Sequence, residues 1–437
     1  MDKALSTQRA VVAGLGMTGQ ACVRFLQGRC ADLKAWDSRE HLTVHASVSV
    51  PVTLGTPATE YFNNVDVLIL SPGIDPQHPV VEMARSAGVT IMGDVELFAH
   101  FNTVPAIGIT GSNGKTTVTL LTTHILSSAG QRVVAAGNVG RAVLDTLELP
   151  LDAIVLELSS FQLESTSSLR LQAGCLLNLS DDHLDRHRTM EAYLAAKQRL
   201  FMHCHQAAVW RGQDATRPSR QVDTVIEYGL DAAAQGFGVS GDWITCNGEN
   251  VLDIRRIPLA GSHNVLNIQA AMALALSLGV SPAQAAEAVY RFEPAPHRCV
   301  DIATINGVRY IDDSKATNAG ATLAAIEGLA SSIQGRLFLI AGGDAKGADL
   351  SVLRQAITDH VEQVYAIGKD APQFTDMTPQ AQRADSLEHA VRQAAAEAKP
   401  GDIILLSPAC ASLDMFSNYI HRAEVFRDAV HALEVAC

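Results

Sequence analysis

A glycine-rich segment that leads into a lysine and two threonines has the clearest chemical meaning in this sequence. It occupies residues 107–117, between an apolar strand-like run and a helical pattern, and ends in Gly-Lys-Thr-Thr at 114–117. In such loops the backbone N–H groups surround phosphate oxygens, the lysine neutralises phosphate charge and the next hydroxyl binds Mg²⁺. The strict G-x-x-x-x-G-K-[ST] spacing is not met, because Ile109 stands where the first glycine belongs. The retained core predicts a nucleoside triphosphate site formed by Gly111, Ser112, Asn113, Gly114, Lys115, Thr116 and Thr117.

Two further segments carry metal-binding residue types directly after strand-like runs. Glu157 lies near the end of the apolar run 153–158, where phosphate-transferring enzymes place a metal-binding carboxylate. Residues 178–187 bring several Asp and His side chains, including His183, into one loop. Either segment taken alone could be a solvated loop. Together with the phosphate-binding loop, they predict a Mg²⁺ site that includes the Thr116 hydroxyl.

A second glycine motif, G-x-G-x-x-G, lies at residues 14–19 between a strand-like run and a helical pattern. Its glycines would let the backbone approach a pyrophosphate at a helix N-terminus. A dinucleotide cofactor, another nucleotide-linked ligand and tightly packed glycines all remain possible at this point. The ends of two other predicted strands, at residues 37–39 and 71–73, would lie beside the same ligand-binding crevice. The residues predicted to line it are Gly14, Leu15, Gly16, Met17, Thr18, Gly19, Asp37, Ser38, Arg39, Ser71, Pro72 and Gly73.

These motifs require a scaffold of parallel strands. Apolar β-rich runs alternate with helical patterns almost from end to end, which is typical of parallel sheets covered by helices. At roughly 150 residues per domain, the 437-residue chain should form about three domains. We expect seams near 93–94 and 294–296, and an irregular excursion near Pro218 and Pro258. The predicted strands are 9–13, 65–70, 104–109, 153–158, 175–178, 337–341, 364–367 and 403–406.

Composition narrows the classes of function. The formal net charge is −13, with 47% hydrophobic and 18% charged residues, which fits a globular protein and argues against sequence-independent nucleic-acid binding. The eight cysteines contain no C-x-x-C pair, so neither a zinc ribbon nor a disulfide framework is predicted. No signal-peptide pattern or membrane-spanning run is evident. We therefore expect a cytoplasmic monomer that binds neither nucleic acid nor membrane.

Taken in this order, the motifs resemble those of the Mur ligase family of bacterial cell-wall synthesis, over essentially the whole chain. The matching segments are 14–19, 71–73, 110–117, 137–140, 157–162, 182–186, 196–197, 263–264 with Asn267, 296–298, 312–318, 342–344 and 407–412. Residues 157–162 and 313–318 are most similar to the family member that adds D-glutamate. Members that add alanine, a diamino acid or a dipeptide typically carry a tyrosine and a histidine after the aspartate of the second segment.

The resemblance implies an α/β fold of three domains with mostly parallel sheets. Residues 1–93 would form a Rossmann-like domain for a UDP-linked substrate, 94–297 a central P-loop ATPase-like domain, and 298–437 a C-terminal Rossmann-like domain for the amino acid. In the implied reaction, ATP phosphorylates the carboxylate of UDP-N-acetylmuramoyl-L-alanine. This first step releases ADP. The D-glutamate amine then attacks the acyl phosphate, which forms an amide of a peptidoglycan precursor and releases phosphate.

The resemblance also implies roles for residues around the nucleotide. Lys115 would contact the ATP phosphates, and Thr116 and Glu157 would hold one Mg²⁺. His183 would help to hold a second ion between the γ-phosphate and the acceptor carboxylate. Asn138 would stabilise the same region. Asn138 and His183 would also contact the UDP-linked substrate.

Other implied roles concern a lysine and the C-terminal block. Lys197 matches a lysine that the family carbamylates to create a carboxylate near the metal, whereas the sequence by itself favours a solvated helix lysine. Further ATP-side residues are Asn264, Asn267, Arg298, Asp313 and Lys315, with Arg298 stabilising the transferred phosphate. The D-glutamate site would consist of Thr317, Lys346, Ser412, Leu413 and Tyr419. Position 419 is often Phe in the family, and residues 420–423 depart from its common acidic and glycine pattern.

Two alternative functions are compatible with parts of this sequence. Another Mur-type ligase or a folylpolyglutamate-like amide ligase would share the phosphate-binding loop. The motif at 14–19 and residues 71–73 argue against the folylpolyglutamate-like enzyme, which lacks such a domain. A nucleotide-gated or dehydrogenase-like protein would need a proton- or hydride-transfer constellation beside residues 14–19, and the sequence offers none.

Overall fold

The computed structural model describes residues 5–435 except 260, 295, 331, 332 and 334. The strands of the first sheet are β1 (Arg9–Ala13), β2 (Asp32–Asp37), β3 (Val52–Leu54), β4 (Val67–Leu70) and β5 (Thr90–Gly93). They are all parallel, in the order β3-β2-β1-β4-β5. The helices of this part are α1 (Met17–Leu26), α2 (Pro79–Ser86) and α3 (Asp94–Phe101). β1 and β4 are almost wholly buried apolar runs, as expected for parallel strands covered on both faces.

The second sheet holds the phosphate-binding loop. Its strands are β6 (Ala106–Thr110), β7 (Val133–Gly137), β8 (Ala153–Glu157), β9 (Leu171–Leu176), β10 (Cys204–Trp210) and β11 (Thr224–Tyr228). They are parallel in the order β11-β10-β9-β6-β8-β7, so the loop after β6 lies between the ends of β8 and β9. The helices that follow along the chain are α4 (Lys115–Ser128), α5 (Ser160–Glu164), α6 (Leu184–His187) and α7 (Met190–Gln198).

A small sheet stands where the sequence predicted an irregular excursion. It consists of β12 (Phe237–Ser240), β13 (Trp243–Cys246) and β14 (Glu249–Asp253), with β12 and β13 antiparallel. These strands are only four or five residues long, which leaves little periodicity to detect in the sequence. Helices α8 (Ser262–Leu276) and α9 (Pro282–Val289) follow.

The last sheet is mostly parallel. Its strands are β15 (Val300–Ile305), β16 (Val308–Asp312), β17 (Leu337–Gly342), β18 (Val361–Ile367), β19 (Ala381–Arg383) and β20 (Ile403–Leu406). The order is β15-β16-β20-β17-β18-β19; within the described part of this sheet, β15 and β16 are antiparallel and the other neighbouring strands are parallel. Its helices are α10 (Ala319–Ala330), α11 (Arg354–His360), α12 (Ala371–Met377), α13 (Leu387–Glu397) and α14 (Tyr419–Val435). The parallel α/β prediction is confirmed.

The chain divides into two compact units. One contains Met1–Asn178, Glu191–Leu252 and Ile268–Val289, and therefore both of the first two sheets. Within it, Val12 of the first sheet and Leu156 of the second belong to one buried apolar cluster. The other unit contains Leu179–Met190, Asp253–Asn267 and Tyr290–Cys437. No helix in the described part of the chain has both the length and the apolar character needed to cross a membrane.

Most predicted strands are found, with small shifts of their ends. The predictions 9–13 and 403–406 match β1 and β20, whereas 65–70 begins two residues too early. The prediction 175–178 was wrong in position, because β9 is Leu171–Leu176 and the residues after it belong to a loop. In that loop Asn178 O accepts a hydrogen bond from Ser112 N, 3.0 Å away. The loop therefore buttresses the phosphate-binding loop instead of extending the sheet.

Candidate functional site

The phosphate-binding loop connects β6 to α4, as the sequence predicts. Gly114 precedes the first helical residue with φ +81°, a left-handed conformation that favours glycine. Asn178 braces the loop from the neighbouring strand end: its Oδ1 accepts from Asn113 N at 2.8 Å, and its Nδ2 donates to Asn113 O at 3.1 Å. The loop shape is thus held by a residue 65 positions away. The sequence does not predict this role for Asn178, although Asn178 belongs to the segment 178–187 that was predicted to bind metal.

Two lysine side chains converge on one carbonyl of this loop. Lys115 Nζ donates to Gly111 O and to Ser112 O, each at 2.7 Å. Lys197 Nζ donates to the same Gly111 O at 2.8 Å. The two ammonium groups therefore concentrate positive charge at the start of α4, where the helix N-terminus also favours anions.

Lys197 is a buried residue, and the solvated interpretation suggested by the sequence alone is wrong. Only 1% of its surface is exposed. Its Nζ lies 4.4 Å from the ring centroid of Tyr193, one helical turn earlier on α7. The Tyr193 hydroxyl in turn lies 3.3 Å from Ser112 Oγ. This buried lysine is held against the phosphate-binding loop by hydrogen bonding and by a cation–π contact. In the sequence, the i, i+4 spacing of Tyr193 and Lys197 was the one signal that could have indicated the burial of Lys197.

Glu157 has the geometry expected of a cation ligand. It is the last residue of β8, paired in register with Ile109 just before the phosphate-binding loop, and 2% of it is exposed. Its Oε1 accepts from Asn138 Nδ2 at 2.7 Å, whereas its Oε2 is buried and has no hydrogen-bond partner among the described residues. A buried carboxylate oxygen without a partner is costly. A bound cation would satisfy it.

The donor types near the loop suit Mg²⁺. Among the described residues, no group of three or more His, Cys, Asp or Glu side chains forms a metal-binding cluster. Mg²⁺ commonly takes one or two carboxylates and completes its shell with phosphate oxygens and water. Glu157 and the hydroxyl of Thr116, on the first turn of α4, fit that pattern.

The first glycine motif joins β1 to α1 and is tied to the end of β2. Leu15 N donates to Asp37 Oδ2 at 2.7 Å, and Ser71 Oγ donates to Gly14 O at 2.9 Å. Burial alone would raise the pKa of Asp37, but hydrogen bonds from Arg39 and from Leu15 lower it to about 2. Hydrogen bonds therefore bring Gly14, Leu15, Asp37 and Ser71 together at the ends of β1, β2 and β4.

The motif glycines differ in what they do. A Cβ at Gly19 would lie 1.7 Å from Gly14 O, so Gly19 is needed for packing. A Cβ at Gly16 would meet no described atom within 4 Å, and the neighbouring Met17 is 87% exposed. Gly19 thus fits the packing interpretation left open by the sequence, whereas the backbone at Gly16 stays accessible to a ligand.

The predicted ATP-side residues all belong to the second unit: Asn267 and Asp313 are buried, whereas Asn264, Arg298 and Lys315 are half-buried. Asp313 is buried, and burial raises its pKa to about 7, although a hydrogen bond from Ser407 and the charge of Arg298 oppose the rise. Lys315 Nζ lies 3.9 Å from the ring centroid of Tyr419. Asn267 Nδ2 donates to Asn264 Oδ1 at 3.1 Å.

The predicted amino-acid residues lie in the same unit. Lys346 adopts φ +52°, and its Nζ donates to Asp182 Oδ1 at 3.1 Å. Asp182 Oδ2 also accepts from Asn318 Nδ2 at 3.4 Å and lies 3.6 Å from His183 Nε2. Asp182 is therefore the meeting point of a lysine, an amide and an imidazole. Of the other predicted residues, Ser412 is buried, Thr317 and Tyr419 are half-buried, and Leu413 is exposed.

Comparison with known families divides the chain into three matching segments. Residues 8–93 match the MurD-like N-terminal domain of Mur ligases, 109–275 the Mur ligase middle domain, and 297–410 the Mur ligase glutamate ligase domain.

Named relatives cover nearly the whole chain. It is 42% identical to the UDP-N-acetylmuramoylalanine–D-glutamate ligase of Idiomarina loihiensis, over 98% of each chain. It is also 42% identical to the enzyme of that name from Legionella pneumophila strain Philadelphia 1, over 97% of this chain and 99% of the relative.

Solved structures share the fold at low identity. The pseudomurein peptide ligase type C of Methanothermus fervidus aligns with a TM-score of 0.64 at 16% identity, over 98% of this chain and 100% of that one. The MurF ligase of Thermotoga maritima in complex with ADP aligns with a TM-score of 0.61 at 15% identity, over 99% and 97%.

Proposed function

The chain belongs to the Mur ligase family, and on that premise we propose that it joins D-glutamate to UDP-N-acetylmuramoyl-L-alanine with the consumption of ATP. The observation that carries the proposal is the 42% identity to a relative named for that reaction, over 98% of both chains. The reaction belongs to peptidoglycan precursor synthesis. We place it in the cytoplasm, because ATP drives it.

The carboxylate of the UDP-linked substrate is a poor electrophile, so the reaction must first activate it. In the first step, a carboxylate oxygen of the alanyl group attacks the γ-phosphorus of ATP, and the bond to the β-phosphate oxygen breaks to release ADP. In the second step, the amine nitrogen of D-glutamate attacks the acyl carbon, the carbon–oxygen bond to phosphate breaks, and the amine loses a proton. The protein must therefore hold three anionic reactants in line and neutralise their charge.

The phosphate-binding loop supplies part of that positive field. Lys115 Nζ rests on two loop carbonyls, Gly111 O and Ser112 O. In our proposal it exchanges these acceptors for phosphate oxygens, which lie where the N–H groups at the start of α4 point. The other ATP-binding residues of the loop are Asn113, Gly114, Thr116 and Thr117.

Glu157 and Thr116 are the proposed protein ligands of one Mg²⁺, and His183 is a proposed ligand of a second. Mg²⁺, when bound, neutralises phosphate charge and orients the transferred group. Asn138 donates to Glu157 Oε1 and so leaves Oε2 as the free acceptor. Through this contact Asn138 would direct the carboxylate towards the metal.

Lys197 is proposed to react with CO₂. Its neutral amine nitrogen would bond to the CO₂ carbon and lose one proton, which leaves an N-carboxylate and one N–H. The remaining N–H could keep the hydrogen bond to Gly111 O. The modification would convert a buried cation into an additional carboxylate for the metal region, in agreement with the burial of Lys197 against the loop.

The remaining sites follow the three-block division into 1–93, 94–297 and 298–437. We assign the UDP-linked substrate to residues 14–19, 37–39 and 71–73 together with Asn138 and His183. The C-terminal ATP contacts are assigned to Asn264, Asn267, Arg298, Asp313 and Lys315. D-glutamate is assigned to Thr317, Lys346, Ser412, Leu413 and Tyr419, with Lys346 exchanging Asp182 for a substrate carboxylate.

The test is a phosphate-release assay with ATP, Mg²⁺ and UDP-N-acetylmuramoyl-L-alanine. D-glutamate should stimulate release, whereas L-glutamate, alanine and a diamino acid should not. Stimulation by one of the other amino acids instead would indicate a different Mur-type ligase. Absence of stimulation by D-glutamate would overturn the proposal.

A further inference from the structure

Arg422 is a buried guanidinium near the start of α14, within the segment that departs from the family pattern. None of its surface is exposed, and burial lowers its pKa to about 10. It therefore remains charged at neutral pH. Burying a cation costs several kcal/mol unless its donors are satisfied, so its hydrogen bonds must be part of its role.

Among the described residues, the side-chain hydrogen bonds of Arg422 reach two neighbouring loops. Nε donates to Ser314 Oγ at 3.1 Å and Nη2 to Ser314 O at 2.8 Å, while Nη1 donates to Cys410 O at 3.1 Å. These acceptors are neutral, and within the described part of the chain the carboxylates of Asp414, Asp312 and Asp313 act on this guanidinium through their charge without a hydrogen bond to it. The side chain is thus bonded to loop atoms and not to a counter-ion.

The two loops follow strands that are adjacent in the last sheet. Ser314 comes two residues after β16 and Cys410 four residues after β20, and these strands pair in parallel with Asp312 opposite Leu406. A planar guanidinium presents donors in a fixed fork. Its span therefore sets the separation of the two loops at the carboxyl end of the sheet.

The loops carry residues assigned above to both ligands. Ser314 stands between Asp313 and Lys315, and its hydroxyl also donates to Tyr419 O at 2.8 Å. Cys410 stands two residues before Ser412. One buried side chain therefore connects the proposed ATP contacts to the proposed D-glutamate contacts.

We propose that Arg422 is a positioning residue that holds the loops 312–318 and 407–413 in the arrangement needed for the amino acid and the nucleotide. The proposal deepens the ligase function proposed above and rests on it. Arg422 does not itself touch the substrates. Its loss should therefore weaken binding of D-glutamate and ATP without affecting the UDP-linked substrate, which is assigned to other residues.

The experiment compares Arg422→Met and Arg422→Lys with Arg427→Met, a control on the exposed side of the same helix. We expect Arg422→Met to raise the KM for D-glutamate by about tenfold or more, as the loss of hydrogen bonds from a charged donor predicts. The KM for the UDP-linked substrate should stay within about twofold. Arg422→Lys should lie between Arg422→Met and the wild type, because an ammonium retains the charge but not the fork.

Hydrogen exchange of the unliganded protein gives a second readout that needs no activity. Peptides covering 312–318 and 407–413 should exchange hydrogen faster in Arg422→Met than in the wild type. In Arg427→Met, their exchange rates should equal those of the wild type. If Arg422→Met does not fold, Ser314→Ala removes one acceptor and should give the same pattern at smaller size. Unchanged exchange in both loops, or equal increases in all three KM values, would overturn the positioning role. A wild-type enzyme without D-glutamate stimulation would overturn the proposed function, while the exchange result would still decide the loop positioning.

Discussion

A buried aspartate at the start of α3 predicts an unusual dependence of stability on pH. Asp94 is 2% exposed; its Oδ2 accepts from Gln162 Nε2 at 3.2 Å, and no described group hydrogen-bonds to its Oδ1. Burial raises the pKa of Asp94 to about 6, against an ordinary value of 3.8. The native state therefore binds this proton more tightly than the unfolded state does.

The sign of the effect follows from this linkage. The stabilising contribution of the Asp94 proton is fully present below about pH 4 and is lost as the pH rises through about 6. A difference of about two pH units corresponds to about 3 kcal/mol. Asp94→Asn removes the titration but keeps an acceptor for Gln162. The variant should therefore match the wild type at pH 4 and be more stable by about 3 kcal/mol at pH 7.5.

The assay is thermal unfolding of the wild type and Asp94→Asn in parallel between pH 4 and 8. At about 2 °C per kcal/mol for a unit of this size, the variant should unfold about 6 °C higher at pH 7.5. Glu60→Gln, at an exposed acidic residue of the same unit, serves as the control and should give an offset that does not change with pH. Parallel curves for Asp94→Asn and the wild type would refute the argument, because a constant difference means that no titration was removed.

Three other substitutions test the site. Lys115→Ala should lower kcat by at least about a hundredfold in the phosphate-release assay through loss of phosphate neutralisation; near-normal turnover would contradict that role. Lys197→Ala should lose activity and recover part of it with a short carboxylic acid, whereas a fully active variant, or the absence of a carbamate signal in the carbon-13 NMR spectrum of the active wild type supplied with carbon-13 bicarbonate, would contradict carbamylation. Gly19→Ala should destabilise the protein by about 2–4 kcal/mol in thermal unfolding, because its Cβ would lie 1.7 Å from Gly14 O. Gly16→Ala, with open space around it, is the matched control, and equal stability of the two variants would contradict the packing argument.

Local patterns predicted the elements that present the motifs. The start of α4 at Lys115 and the end of β8 at Glu157 follow from residues within a few positions of each site. A glycine in left-handed conformation and a buried apolar run leave few alternatives to a strand, a turn and a helix. The positions of the phosphate-binding loop and of the neighbouring carboxylate could therefore be predicted from sequence.

Long-range contacts could not be predicted in this way. The burial of Lys197 depends on how α7 packs against a loop 86 residues earlier, and the bracing of Asn113 depends on a strand end 65 residues later. Arg422 contacts Ser314, 108 residues away. No periodicity or spacing along the chain indicates any of these three long-range contacts.

The sequence by itself determined the parallel α/β class and the family, and it predicted which turns bind phosphate. Only the tertiary structure decided that Lys197 is buried, that one oxygen of Glu157 has no hydrogen-bond partner in the described part of the chain, and that Lys346 is paired with Asp182. The physical reason is the range of the forces involved. Turn geometry and strand burial depend on neighbours along the chain, whereas the environment of a charge depends on groups that come together only when the sheets and helices pack.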